Sequence, residues 1–173
     1  MIPEIKKILY AADLTKNSAY ASHYAADLAR RYGAKVVILH CVGLIDPSVY
    51  YEGSITDPSR SLRRAAEQEK EEHTAELKTR LQEFFHREEP PTGPPGADLV
   101  SEIIVTSGYA VEKILDTADA KGCDLIILGT HGKGWLKQTF LGSVSRLVLE
   151  RTQKPVFIVP LPSEETSIDW GLH

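Results

Sequence analysis

The fold is decided by the stretch LIILGTHG at residues 125–132, which is followed after nine further residues by Gly142 and Ser143. Its first four residues are all apolar and predict a buried strand, whereas the glycines that follow predict a loop. The segment that begins at Gly142 has helical periodicity and stops before Pro155. The stretch therefore predicts a strand, a glycine loop and a helix, in that order.

Three glycines in this stretch, Gly129, Gly132 and Gly142, suit the binding of phosphate. Glycine lets the backbone approach an anion closely, and the first N–H groups of a helix point outward at its positive end. Several converging N–H groups make an anion-binding concavity. In the alternative interpretation, Gly129 and Gly132 only turn the chain and Gly142 is an ordinary helix start.

Length, composition and charge limit the class of protein. The chain has 173 residues, of which 42% are hydrophobic and 25% are charged, values that are typical of one globular domain. Its net charge of −4 gives no electrostatic reason to expect nucleic acid or an anionic membrane as a partner. No apolar run approaches the length of a membrane span.

The two cysteines, Cys41 and Cys123, lie far apart in strand-like segments and lack the C-x-x-C spacing of metal and redox sites. We interpret them as buried free thiols, which fit a reducing compartment. The first residues lead directly into a strand and lack the apolar region of a signal peptide. We therefore expect a cytoplasmic protein.

Strand-like and helix-like segments alternate along the chain. The predicted strands are 5–12, 34–42, 99–105, 125–128 and 155–159, and helical patterns lie between them, the last with Val144, Leu147 and Val148 facing inward. This order predicts an α/β fold, with a doubly wound five-stranded parallel sheet in a single domain. The domain spans 1–162. The tail at 163–173 is either disordered or docked through Trp170.

Asp13, Cys41 and Gly129 each follow or end a predicted strand. In doubly wound sheets, ligands bind outside the carboxyl ends of the strands at the topological switch point. We therefore expect these three residues to face one crevice. Asp13 also has a simpler interpretation, because aspartate after a strand often caps the next helix.

Four segments resemble the universal stress protein family, and specifically its ATP-binding branch. They are KILYAAD at 7–13, ILHCV at 38–42, LGTHGK at 128–133 and LGSV at 141–144. The likeness extends from Ile5 to Pro160. The family's G-x2-G-x9-G-S/T signature is intact here as Gly129, Gly132, Gly142 and Ser143.

The resemblance implies the ligand, the site and the assembly. The signature positions would hold phosphate and ribose, the acidic position is Asp13, and the position that meets the base is Cys41. The ligand would be ATP, or ADP or AMP, with Mg²⁺ or Mn²⁺ on the phosphates. Family members are typically cytoplasmic homodimers paired through the last strand, here Pro155 to Val159. The full set of candidate nucleotide-binding residues is Ala12, Asp13, Cys41, Leu128, Gly129, His131, Gly132, Gly142, Ser143, Val144 and Ser145.

Catalysis is less strongly indicated than binding. Phosphoryl transfer needs metal ligands, a positioned nucleophile and cationic groups on the phosphates, and Asp13 is the only carboxylate that the strand-end rule places near the loop. The sequence has no Walker motif, no S-G-G-x-D-S and no H-x-G-H. A nucleotide-binding module is therefore favoured. The alternative is a slow ATP-hydrolysing or adenylating enzyme. A third possibility, a dimer that does not bind nucleotide, is disfavoured because the glycine loop is intact.

Overall fold

The computed structural model describes residues 4–14, 16–42, 60–87, 99–130 and 141–160. The loop at 43–58, His131, Gly132 and the tail at 163–173 lie outside these ranges. The elements, in chain order, are β1 Lys7–Ala12, α1 Lys16–Tyr32, β2 Lys35–Val42, α2 Arg60–Arg87, β3 Val100–Ser107, α3 Ala110–Ala120, β4 Leu125–Gly129, α4 Ser143–Arg151 and β5 Val156–Val159.

The five strands form one parallel sheet with the order β3-β2-β1-β4-β5. The chain moves from β1 outward through β2 to β3 and then crosses to the other side of β1, so the order reverses between β1 and β4. This arrangement confirms the predicted doubly wound α/β fold. The third strand, whose apolar run is interrupted by Ser101 and Glu102, lies at an edge of the sheet.

Side chains that alternate along each strand build two cores, one on each face of the sheet. On one face, Ile8, Tyr10 and Ile38 pack against the alanines of α1 and against Leu81 and Phe84 of α2. On the other face, a second set of apolar side chains packs against α3 and α4. This set comprises Leu9, Val37, Leu39, Ile126 and Leu128. Both faces are covered, which is why the central strands are continuous apolar runs rather than alternating ones.

Two glycines end helices as the sequence predicts. Gly33 follows α1 with φ +63°, and Gly122 follows α3 with φ +62°. Both values lie in the left-handed region, which a residue without a Cβ adopts at low cost. None of the helices in the described ranges combines the length and the apolar character needed to cross a bilayer.

The structure corrects two expectations about burial. Val144 was expected to face inward, but it is 36% exposed because it lies in the first turn of α4, beyond the edge of the core, whereas Val148 one turn later is fully buried. Cys41 was expected to be buried like Cys123, and it is only half-buried because β2 reaches the end of the sheet there.

Candidate functional site

A pocket of about 280 Å³ opens at the carboxyl ends of the strands. Its walls come from the ends of β1, β2 and β4 and from the beginnings of α1, α3 and α4. The order in which the chain adds strands reverses between β1 and β4, so the pocket lies at the topological switch point, where doubly wound sheets bind ligands. Its volume is near the lower end of the range for small-molecule sites, roughly 300–1,000 Å³.

The structure brings the predicted site residues together at this pocket. Asp13, Cys41 and Gly129, which sequence reasoning placed at three strand ends, all contribute to its wall. The same is true of the other candidates in the described ranges, which are Ala12, Leu128, Gly142, Ser143, Val144 and Ser145. His131 and Gly132 lie outside the described residues.

Five further lining residues were not predicted: Ala11, Ser18, Leu39, Ala110 and Ile114. Leu39 could have been found, because it stands two positions before Cys41 and therefore on the same face of β2. Ala110 and Ile114 come from α3, and nothing in their own sequence pattern distinguishes a pocket wall from ordinary core. Ser18 lies in the first turns of α1, where a hydroxyl is expected mainly as a helix cap.

Two hydrogen bonds hold the beginning of α4 against the end of β4. The backbone N–H of Gly142 donates to the carbonyl of Thr130 at 2.6 Å. The buried hydroxyl of Ser145 donates to the carbonyl of Gly129 at 2.7 Å. Together they fix the direction of the helix axis relative to the strand, so the first turn of α4 forms one wall of the pocket.

The first turn of α4 brings N–H groups that have no intrahelical acceptor to the wall of the pocket. Gly142 is the N-cap residue, with φ −65° and ψ 158° and no side-chain cap, and the first turn has no acidic residue. Intrahelical bonding begins with Arg146, whose N–H donates to the carbonyl of Gly142 at 3.0 Å. The N–H groups of Ser143, Val144 and Ser145 precede it and have no intrahelical acceptor. This end of α4 is therefore suited to an anion.

Much of the remaining pocket wall is apolar. Leu39, Ile114 and Leu128 line it, and the thiol of Cys41 donates to the carbonyl of Gly108 at 3.3 Å. Burial raises the pKa of the Cys41 thiol, and the nearby Lys113 partly opposes this, so the thiol is neutral at physiological pH. Such a surface suits a flat, uncharged ring.

Asp13 carries the only ionisable carboxylate among the described residues that line the pocket. It follows β1 directly, and the end of that strand is fixed by the buried His40 of β2. Nδ1 of His40 lies 2.7 Å from the carbonyl oxygen of Ala12, so this nitrogen carries the proton and donates it. Asp13 therefore presents a hydrogen-bond acceptor at a well-defined place on the wall.

The protein is an α/β domain whose pocket, at the switch point of its sheet, combines a helix end suited to an anion with apolar wall residues. Residues 4–160 match the model of the universal stress protein family. The chain belongs to that family.

This chain is similar to named proteins in sequence and in fold. Universal stress protein MJ0577 of Methanocaldococcus jannaschii is 31% identical over 157 residues, which cover 89% of this chain and 94% of the relative. Its solved structure superposes with a TM-score of 0.70 at 24% identity, over 94% of this chain and 100% of that one. A universal stress protein solved in complex with cAMP superposes with a TM-score of 0.53 at 21% identity, over 91% of this chain and 98% of that one.

Proposed function

We propose that this protein binds ATP and acts as a nucleotide-dependent regulatory module in the stress response. The observation that carries the proposal is the uncapped first turn of α4 in the wall of the pocket. An uncapped helix end of this kind has donors and a positive dipole but no anion of its own. The complex of a related protein with cAMP supports an adenine nucleotide as the ligand class.

The phosphates would lie against Ser143, Val144 and Ser145, whose N–H groups have no intrahelical acceptor, and beside Gly142, whose own N–H donates to the Thr130 carbonyl. Gly129 provides the close backbone approach on the strand side, and His131 and Gly132, outside the described residues, complete the glycine signature. These positions would receive the negatively charged part of the nucleotide.

The nucleoside would occupy the other half of the pocket. Cys41 and Leu128 would contact the base, Ala12 leaves room beside it, and the carboxylate of Asp13 would accept a hydrogen bond from a hydroxyl or amino group. The carboxylate would thus favour ligands that offer it a donor.

The charges of the pocket favour a nucleotide that arrives with a divalent cation. No lysine or arginine is found among the described lining residues, and the one charged side chain, Asp13, is negative. Mg²⁺ or Mn²⁺ on the phosphates would reduce the repulsion, and Mg²⁺ typically retains several waters and uses few protein carboxylates.

We also propose that the protein is a cytoplasmic homodimer paired through residues 155–159. Among the strands that the structure describes, β5 pairs with β4 alone, and its Phe157 is 38% exposed. The ring of Phe157 contacts Tyr24 of α1 at a centroid distance of 5.8 Å, which extends the apolar surface beyond the strand. Pairing of the edge with a second copy would cover this surface. The free thiols Cys41 and Cys123 favour the cytoplasm.

The experiment that tests the proposal is calorimetric titration with ATP and Mg²⁺ of the wild type and of the Gly142→Val variant. The φ of −65° at Gly142 is accessible to valine, so the fold should survive while the new side chain obstructs the helix end. ATP affinity should fall more than tenfold, which corresponds to about 1.4 kcal/mol. Ala120→Val, at the exposed end of α3, is the matched control and should bind normally.

Two outcomes would contradict the proposal. One is a wild type that carries no nucleotide by mass spectrometry after denaturation and gives no heat with ATP. The other is unchanged affinity in Gly142→Val, which would remove the helix end from the site.

A further inference from the structure

A buried tyrosine lies directly beneath the wall of the pocket. Tyr10 of β1 is fully buried, and its ring packs against Phe85 of α2 at a centroid distance of 5.9 Å. Its hydroxyl reaches the beginning of α1, where it lies 2.5 Å from the carbonyl oxygen of Ser18 and 2.8 Å from the Ser18 hydroxyl. Ser18 is only 3% exposed and belongs to the wall of the pocket.

The protons of this network can be assigned from the chemistry of its groups. The Tyr10 hydroxyl has one proton and donates it to the Ser18 carbonyl, which can only accept. The Ser18 hydroxyl then donates to the Tyr10 oxygen. A lone pair of Ser18 Oγ remains and accepts the backbone N–H of Asp13 at 3.2 Å. Tyr10 is thus linked through Ser18 to the residue that carries the carboxylate of the pocket.

The network stays intact over the whole physiological pH range. Burial raises the pKa of Tyr10 far above its ordinary value, the hydrogen bond from Ser18 lowers it in part, and the negative charge of Asp13 raises it further. The hydroxyl therefore remains a neutral donor throughout this range.

The segment that the network holds has an unfavourable backbone conformation. Leu14, the residue after Asp13, has φ +63°, in the left-handed region that leucine rarely adopts. A residue in this region persists only where the surrounding structure determines it. The bond from Asp13 N–H to Ser18 spans this bend, and Leu14 packs against the core on the same face as Tyr10.

We propose that Tyr10 and Ser18 are positioning residues that hold Asp13 at the nucleoside end of the pocket. They act through the backbone of Asp13, and they select ligands that offer a donor to its carboxylate. This inference rests on the proposed nucleotide binding, and it adds that the core beneath the pocket tunes recognition of the nucleoside and not of the phosphates.

The test is the Tyr10→Phe variant, which removes the hydroxyl and retains the ring. Its matched control is Tyr32→Phe, at the end of α1, where the side chain is 56% exposed. Calorimetric titration is performed with adenosine, with ATP and Mg²⁺, and with inorganic triphosphate and Mg²⁺. Tyr10→Phe should weaken adenosine and ATP by the same factor, about fivefold as for one lost hydrogen bond, and leave triphosphate unchanged. Tyr32→Phe should change none of the three.

A double-mutant cycle with Asp13→Ala separates positioning from stability. If Tyr10 acts through Asp13, Tyr10→Phe should have no further effect on adenosine affinity once the carboxylate is absent, although it should lower the melting temperature in both backgrounds. Equal losses of adenosine affinity in the presence and absence of the carboxylate would overturn the inference. So would a Tyr10→Phe protein that melts earlier and binds adenosine as the wild type does.

Hydrogen exchange in the ligand-free protein distinguishes a failure of this inference from a failure of the proposed function. The amide of Asp13 should exchange faster in Tyr10→Phe and in Ser18→Ala than in the wild type, because its acceptor is displaced or removed. A wild type that binds none of the three ligands refutes nucleotide binding, and with it the assigned role in recognition. Unchanged exchange at Asp13 refutes the network itself, whatever the ligand result.

Discussion

Ser143 and Ser145 lie two positions apart in the first turn of α4, and replacing each by alanine should affect a different property of the protein. Ser145 is buried, and its hydroxyl donates to the carbonyl of Gly129 at 2.7 Å. Ser143 is exposed and lies at the first position of the helix, facing the pocket. Ser145→Ala should therefore affect stability, and Ser143→Ala should affect affinity.

The magnitude for Ser145→Ala follows from the group that loses its partner. A lost hydrogen bond costs about 1 kcal/mol net, and a carbonyl left without a donor raises the cost to about 1–3 kcal/mol. The higher helix propensity of alanine returns up to about 0.5 kcal/mol. We expect the free energy of unfolding to fall by about 1–2 kcal/mol, and the melting temperature by about 2–8 °C for a chain of this size.

Ser143→Ala provides the matched control for stability. Its free energy of unfolding should stay within about 0.5 kcal/mol of the wild type, as for most surface substitutions. If its hydroxyl contacts a phosphate, ATP affinity should fall about fivefold, as expected for one hydrogen bond.

Urea denaturation followed by circular dichroism gives the stabilities of the two serine variants, and calorimetric titration with ATP gives the affinities. Wild-type stability in Ser145→Ala would refute the idea that its hydroxyl fixes the beginning of α4. Loss of stability in Ser143→Ala with unchanged affinity would mean that this serine belongs to the fold and not to the site.

Two further predictions concern the edge strand and the thiols. Phe157→Asp should yield monomer or insoluble protein, because it places a charge in the proposed β5 interface. Leu149→Asp, on the exposed side of α4, should remain dimeric. A wild type that is monomeric by light scattering at high concentration would contradict the dimer. A maleimide should label the half-buried Cys41 in the native protein and Cys123, which is 1% exposed, only after unfolding, and ATP should protect Cys41. Burial raises the pKa of both thiols, so the rate of Cys41 labelling should continue to increase as the pH rises above about 8.5, the pKa of a free thiol. Equal labelling of Cys41 with and without ATP would remove this residue from the site.

The sheet and much of the pocket could be predicted from the sequence because both depend on local patterns and one topological rule. The apolar run at 125–128 could only be a strand covered on both faces, and β4 is fully buried along those four residues. The rule for strand ends then placed Asp13, Cys41 and Gly129 at one crevice, although no local signal connects them.

The remaining features depend on how elements pack, which the sequence alone does not reveal. A hydroxyl near the start of a helix is expected mainly as a cap, yet the hydroxyl of Ser18 contacts Tyr10 and Asp13, because α1 starts close to the end of β1. Val144 has the spacing of a core residue, but the open pocket leaves it partly exposed. In both cases the periodicity identified the correct helix, and only the packing determined the role of the side chain.

The bond between Thr130 and Gly142 brings the two ends of the intervening segment together. Because Thr130 and Gly142 are joined by a backbone hydrogen bond of 2.6 Å, the end of β4 and the beginning of α4 are held together at this point. Doubling the length of a loop whose ends are already close costs only about 0.6 kcal/mol. An insertion between these two positions that spares His131 and Gly132 should therefore cost the fold little.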